Sequence, residues 1–135
     1  MARLIDTSAI VSLERQKLPI SALAKTLGDD PIGIASITAS ELLAGSYRAS
    51  AERQRQQRLD FIEFILTAVP VLSFDLAAAR THARITHELT RGGRSIGTHD
   101  LLIAATALTL GYGVVTHNVR HFDRIEGLSV YTPAW

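Results

Sequence analysis

The 135-residue chain contains no cysteine. Disulfides, zinc–thiolate centres and thiol catalysis are excluded together, and the composition fits a reducing compartment. It carries no marked excess of either charge, with a formal net charge of +1. Bulk electrostatics therefore makes no case for a nucleic-acid partner, and such a case has to rest on local patches. There is no long hydrophobic run. The most apolar segment, Leu101 to Leu110, is interrupted by threonines and is too short to cross a bilayer. The N-terminal region lacks an apolar core followed by a cleavage pattern, so no signal peptide is expected and a cytoplasmic location is. No repeat, low-complexity tract or linker divides the chain, and one domain over residues 1–135 is expected. With 47% apolar and 20% charged residues, a largely disordered chain is excluded.

What is present is an alternation of short apolar runs with helical patterns. Arg3-Leu4-Ile5 reads as a short buried strand that stops at Asp6 and turns into a helix over 8–15, with Thr7 or Ser8 as its cap. Ser21 can cap a second helix closed by Gly28. Ile32-Gly33-Ile34-Ala35 suits a buried parallel strand. Thr38-Ala39-Ser40-Glu41 matches a capping box, which on its own would give Glu41 a purely structural role. The longest helical pattern covers 51–68, polar and basic in its first half and apolar in its second. Val71 to Phe74 is a third strand candidate, and Asp75 caps a helix to about Arg91. After Gly92-Gly93 and a loop, Thr98 caps an apolar helix with Asp100 in its first turn. Val114-Val115-Thr116 is a fourth strand, followed by His117-Asn118, and Leu128 to Tyr131 is an edge strand. Strands alternating with helices predict a three-layer α/β domain with a central, mainly parallel sheet of about five strands.

In this arrangement Asp6, Glu41, Asp100 and Asn118 occupy equivalent places, just after a strand or in the first turn of a helix. Such places lie along one edge of a parallel sheet, where ligands bind. Carboxylates gathered there repel one another and raise one another's pKa unless a cation lies between them. Oxygen-only donors suit Mg²⁺ or Mn²⁺. Such a metal can orient a water for attack on a phosphodiester and stabilise the developing charge.

Four segments, taken in order, resemble the PIN-domain ribonucleases, in particular the VapC-like toxins of prokaryotic toxin–antitoxin pairs. They are Leu4-Ile5-Asp6-Thr7-Ser8, Ser40-Glu41-Leu42-Leu43-Ala44-Gly45, Gly97-Thr98-His99-Asp100-Leu101-Leu102-Ile103-Ala104-Ala105 and Val115-Thr116-His117-Asn118-Val119-Arg120-His121-Phe122. The resemblance implies a PIN-like domain, Mg²⁺-dependent endonuclease activity on RNA, a homodimer and inhibition by a cognate antitoxin. It puts Asp6, Glu41 and Asp100 on the metal-binding acids. Asn118 stands where the family often has Asp. A neutral amide there can hold a water but adds no charge.

Ser8 and Thr116 are placed to hydrogen-bond the acids and fix their rotamers, or simply to cap and close strand ends. His117 and His121 are four apart, but no HExxH motif accompanies them, and a solvent-facing pair is expected. His99 should point away from Asp100 on a helix. Arg53, Arg55 and Arg58 form a run that is either a solvated face or a guide for RNA phosphates, and Arg91 and Arg94 flank a second candidate loop for phosphate contact. Two other functions fit parts of the pattern. One is a non-catalytic PIN-like partner of a DNA-binding protein, against which the three acids argue. The other is a small-molecule phosphoryl-transfer enzyme with Asp6 as nucleophile. A dehalogenase-type site of that kind wants a second Asp two residues on, where Ser8 stands.

Overall fold

A computed structural model describes residues 1–135. Its strands are short, and alternation decides what each side chain meets. Leu4 and Ile5 are both fully buried yet belong to different cores, as do Ile34 and Ala35, and Val114 and Val115. The elements in chain order are β1 (Arg3–Ile5), α1 (Thr7–Arg15), α2 (Ser21–Leu27), β2 (Ile32–Ala35), α3 (Ser36–Tyr47) and α4 (Glu52–Ala68). They continue with β3 (Val71–Leu72), α5 (Leu76–Arg91), α6 (Thr98–Leu110), β4 (Gly113–Val115), α7 (Val119–Phe122) and β5 (Val130–Tyr131).

The strand order is β3-β2-β1-β4-β5, and every pairing is parallel. The expected five-stranded, three-layer architecture is present, and the sheet is wholly rather than mainly parallel. On one face Ile5, Ile34 and Val115 pack with Ile10 and Leu13 of α1, Leu23 of α2, Leu42 of α3 and Ile62 and Ile65 of α4. On the other, Leu4, Ala35 and Val114 pack with Ile85 and Leu89 of α5, the small residues Ala104, Ala105 and Ala107 of α6, and Phe122 of α7. No helix is long and apolar enough to cross a membrane.

The helix starts differ from the sequence expectation in a consistent way. Thr7, Ser21 and Thr98 lie inside their helices, and the cap positions fall on Asp6, Ile20 and Gly97, none of which makes a side-chain cap bond. The capping box at Thr38 does not form. β2 runs into α3 with no intervening residue, so α3 starts at Ser36, Thr38 is buried and Glu41 sits in the second turn. The structural explanation for Glu41 is thereby removed. Asp75 does cap α5, accepting from the Ala78 N–H at 2.9 Å. β3 and β5 keep only two residues each of the longer runs expected. Gly111 closes α6 in the left-handed conformation, with φ of 70°.

Candidate active site

The direction of the strand order reverses between β1 and β4. In an open parallel sheet this is where a crevice opens beyond the carboxyl ends of the strands. The residues that follow these two strands are Asp6 and Thr116. Register pairs Ile5 with Val115, and the Asp6 N–H donates to the Val115 carbonyl at 2.9 Å. The side chains then meet directly: Thr116 Oγ1 donates to Asp6 Oδ2 at 2.7 Å. Ser8 Oγ, one residue into α1 beyond Thr7, donates to the same oxygen at 2.8 Å. Asp6 is 1% exposed and Thr116 fully buried. No side-chain donor reaches Oδ1, and no cationic side chain pairs with Asp6. Burial pushes the Asp6 carboxyl above its ordinary range. The two hydroxyl bonds pull it back in part, and the nearby Asp100 carboxylate pushes it further up.

Glu41 and Asp100 arrive from α3 and α6. The Thr7 hydroxyl donates to Glu41 Oε1 at 2.7 Å, and His99 Nδ1 lies 3.1 Å from Glu41 Oε2. Asp100 Oδ2 is bound by His121 Nδ1 at 2.8 Å. The sequence reading placed neither histidine here. His99 does point away from Asp100, but towards Glu41. His121 faces the acids because α7 is a single turn folded over the end of β4, so its direction follows from tertiary packing. The start of α7 is fixed to the site through Thr116, whose Oγ1 accepts from the Asn118 N–H at 2.8 Å. Just past its end, Arg124 Nη1 donates to the Ser95 carbonyl at 2.7 Å and ties α7 to the loop that leads into α6.

These donors suit a hard divalent cation in kind: oxygen from carboxylates, one of them buried without a counter-charge. As the side chains stand, no three His, Asp or Glu groups converge closely enough to form a ligand shell by themselves. Glu41 accepts a hydrogen bond on Oε1 and has the His99 ring beside Oε2, whereas Asp6 and Asp100 each keep one oxygen free of side-chain donors. Mg²⁺ is commonly held by one or two carboxylates with waters completing its octahedron, and the set fits that pattern.

Comparison with known proteins places this edge in a family. The PIN-domain model matches residues 3–128. The ribonuclease VapC1 of Rickettsia felis is 41% identical over 132 residues, covering 98% of this chain and 96% of that protein. The chain belongs to the VapC family of PIN-domain ribonucleases. The tRNA(fMet)-specific endonuclease VapC of Shigella flexneri is 33% identical over 93% of this chain and 92% of its own length. Among solved structures, the DNA-bound VapBC of Salmonella typhimurium superposes with a TM-score of 0.86 at 29% identity, covering 98% of both chains.

The remaining candidate residues of this VapC-family chain are not all brought to the acids. Asn118 is exposed and its side chain makes no hydrogen bond; its backbone N–H serves Thr116. Arg53 is exposed and unpaired. Arg55 is committed within the fold, donating to the Ala49 carbonyl at 3.0 Å and pairing with Glu52. Arg58 likewise spans Gly45 and Glu14. Arg94 is exposed, on the side of the molecule lined by Glu88, Arg124 and Glu126. A cleft of about 550 Å³ opens beside Glu41 and His99, between α1, α3 and α4, and Arg15 and Arg48 line it. Neither makes an ion pair, and sequence reasoning missed both. Arg15 ends α1 and Arg48 lies just past the end of α3, so no single helical spacing singles them out.

Proposed function

We propose that this chain is an RNA endonuclease acting as the toxin of a toxin–antitoxin pair, that its reaction depends on Mg²⁺ or Mn²⁺, and that it works as a homodimer restrained by a cognate antitoxin. The toxin and antitoxin parts are supported by the VapC and VapBC relatives. The metal dependence is carried by one observation: Asp6 is buried beside a second carboxylate with no cationic partner. Asp6 and Asp100 would hold the cation directly, and Glu41 through water. When bound, such a cation orients a water towards the phosphodiester and offsets the charge that develops. The protein's own part is to hold its oxygens in place. Ser8 and Thr116 fix Asp6, Thr7 and His99 fix Glu41, and Asn118 stands at the exposed rim. An antitoxin would inhibit by entering the cleft beside α4 and placing an Arg among the carboxylates, where paired charge-assisted hydrogen bonds replace the cation.

Protein freed of any partner should cleave RNA with Mg²⁺ or Mn²⁺ and stop with EDTA. Cleavage undiminished by chelator in a nuclease-free preparation would sink the metal mechanism. No cleavage with either metal, by a protein that still binds an antitoxin, would favour the non-catalytic regulatory alternative.

An acidic site repels RNA, so neighbouring cations must offset that repulsion. Arg15 and Arg48 are free to do so, Arg55 is not, and Arg53 and Arg94 lie further from the cleft. Arg15→Glu with Arg48→Glu should weaken RNA binding and flatten its salt dependence by about two phosphate contacts' worth of slope. Arg53→Glu should do less. The test is a titration of binding against salt at constant metal; an unchanged slope in the double variant would make these arginines a merely solvated face.

A further inference from the structure

We propose that His121 is a positioning residue: through Nδ1–H it fixes the Asp100 carboxylate by one oxygen, Oδ2, and leaves Oδ1 as the oxygen available to a cation. The inference rests on the reading, given above, of a divalent cation among these acids. Its starting point is how the three carboxylates are restrained. Asp6 receives two hydroxyl donors, from Ser8 and Thr116. Glu41 receives a hydroxyl bond from Thr7 on Oε1 and has the His99 ring nitrogen 3.1 Å from Oε2. Asp100 has a single hydrogen-bond partner, His121, at 2.8 Å. This is the one side-chain hydrogen bond that sets the χ2 rotation of Asp100, whose side chain is 17% exposed.

The direction of the bond does not depend on the charge of the ring. An ionised carboxylate only accepts, so Nδ1 carries the proton whether the imidazole is neutral or charged. Nor is the contact a chance meeting of surface groups, although the His121 side chain is 46% exposed. Phe122, the next residue, is fully buried and seats α7 on the core. The Asn118 N–H bonded to Thr116 fixes one end of the turn, and Arg124 bonded to Ser95 fixes the other. A hydrogen-bond donor that orients a metal-ligating carboxylate typically contributes 10–100-fold to affinity or activity.

The experiment measures Mn²⁺ binding to the full chain by calorimetry, without RNA, for the wild type and for His121→Ala, His121→Asn and His121→Gln. RNA cleavage is followed in parallel. An Asn side chain places an amide N–H near the position of Nδ1; a Gln side chain carries it further out. His121→Ala should lose about 10–100-fold in Mn²⁺ affinity. His121→Asn should regain most of that loss and His121→Gln should not. His117→Ala, at an exposed ring without a hydrogen-bond partner, should bind as the wild type does. His121→Gln keeps the bulk of the side chain and serves as the folded reference if the shorter one loosens α7. Wild-type affinity in His121→Ala overturns the inference. So does a His121→Asn protein as weak as His121→Ala, a result that would make the imidazole itself a ligand. Absence of Mn²⁺ binding by the wild type would overturn the reading of the site, and this inference with it.

Discussion

Asp6→Asn should melt at a higher temperature than the wild type in the absence of metal, while losing more than about 100-fold in cleavage, beyond the range expected for an orienting residue alone. The two halves of this expectation come from the same buried carboxylate. Its pKa is raised by burial first and by Asp100 as well, so the folded state holds its proton more tightly than the unfolded chain does. Stability therefore falls as pH rises from about 3.9, the ordinary carboxyl value, through the folded value, and above that the full penalty applies. An amide keeps the shape, and its single oxygen still accepts from Ser8 and Thr116. The gap in melting temperature between variant and wild type should be smallest in acid and widen towards neutrality. Mg²⁺ should raise the wild-type melting temperature, since it binds the folded arrangement, and should raise that of the variant less. Melts across pH, with and without Mg²⁺ and alongside a cleavage assay, decide the matter. A metal-free variant less stable than the wild type at neutral pH, yet still cutting RNA well, would make Asp6 a structural residue.

The second large effect lies in the core on the α1 face of the sheet. Trp135 is the one tryptophan of the chain. It is 7% exposed, packs in the core of the α1 face and donates its indole N–H to the Ala9 carbonyl at 2.8 Å. Trp135→Ala should cost about 3–5 kcal/mol, the usual range for truncating a buried large aromatic residue. That is a large share of the roughly 5–15 kcal/mol that separates a folded domain from its unfolded chain. The melting temperature should fall on the order of 10 °C. Trp135→Phe keeps most of the apolar area and gives up the hydrogen bond, so it should cost about 1 kcal/mol more than a neutral change. Denaturant unfolding followed by circular dichroism measures both. A Trp135→Ala loss below about 1 kcal/mol would mean that the ring covers α1 without supporting it.

The strands and the acids could be read from the sequence because each is a local pattern with a physical cause. Leu4-Ile5 before Asp6, and Val114-Val115 before Thr116, are apolar runs that must be buried and that end at a polar residue. A parallel sheet then brings those ends together. Asp6 and Thr116 are far apart in sequence and 2.7 Å apart through their side chains for that reason alone. Helix starts were less legible. Ser and Thr at Ser21, Thr38 and Thr98 have the chemistry of caps, but the chain enters those helices before reaching them, and α3 follows β2 without a link. The restraint of the acids was hidden for another reason. His121 reaches Asp100 across 21 residues, on a turn whose orientation is set by Phe122 in the core. Arg55 looked free to meet phosphate because nothing local announces the Ala49 carbonyl that it binds. Trp135 carried no periodic signal at all.

The loop between α5 and α6 has the composition of a hinge, with Gly92, Gly93 and Gly97 in six residues. Its movement would swing Asp100 and His99 away from Asp6. Arg124 opposes this by donating to the Ser95 carbonyl at 2.7 Å, an exposed contact that biases the loop towards its attached position. The loop backbone is thus held before anything binds, and what is left to close a ligand shell around a cation is rotation of the acid side chains, which as they stand do not converge.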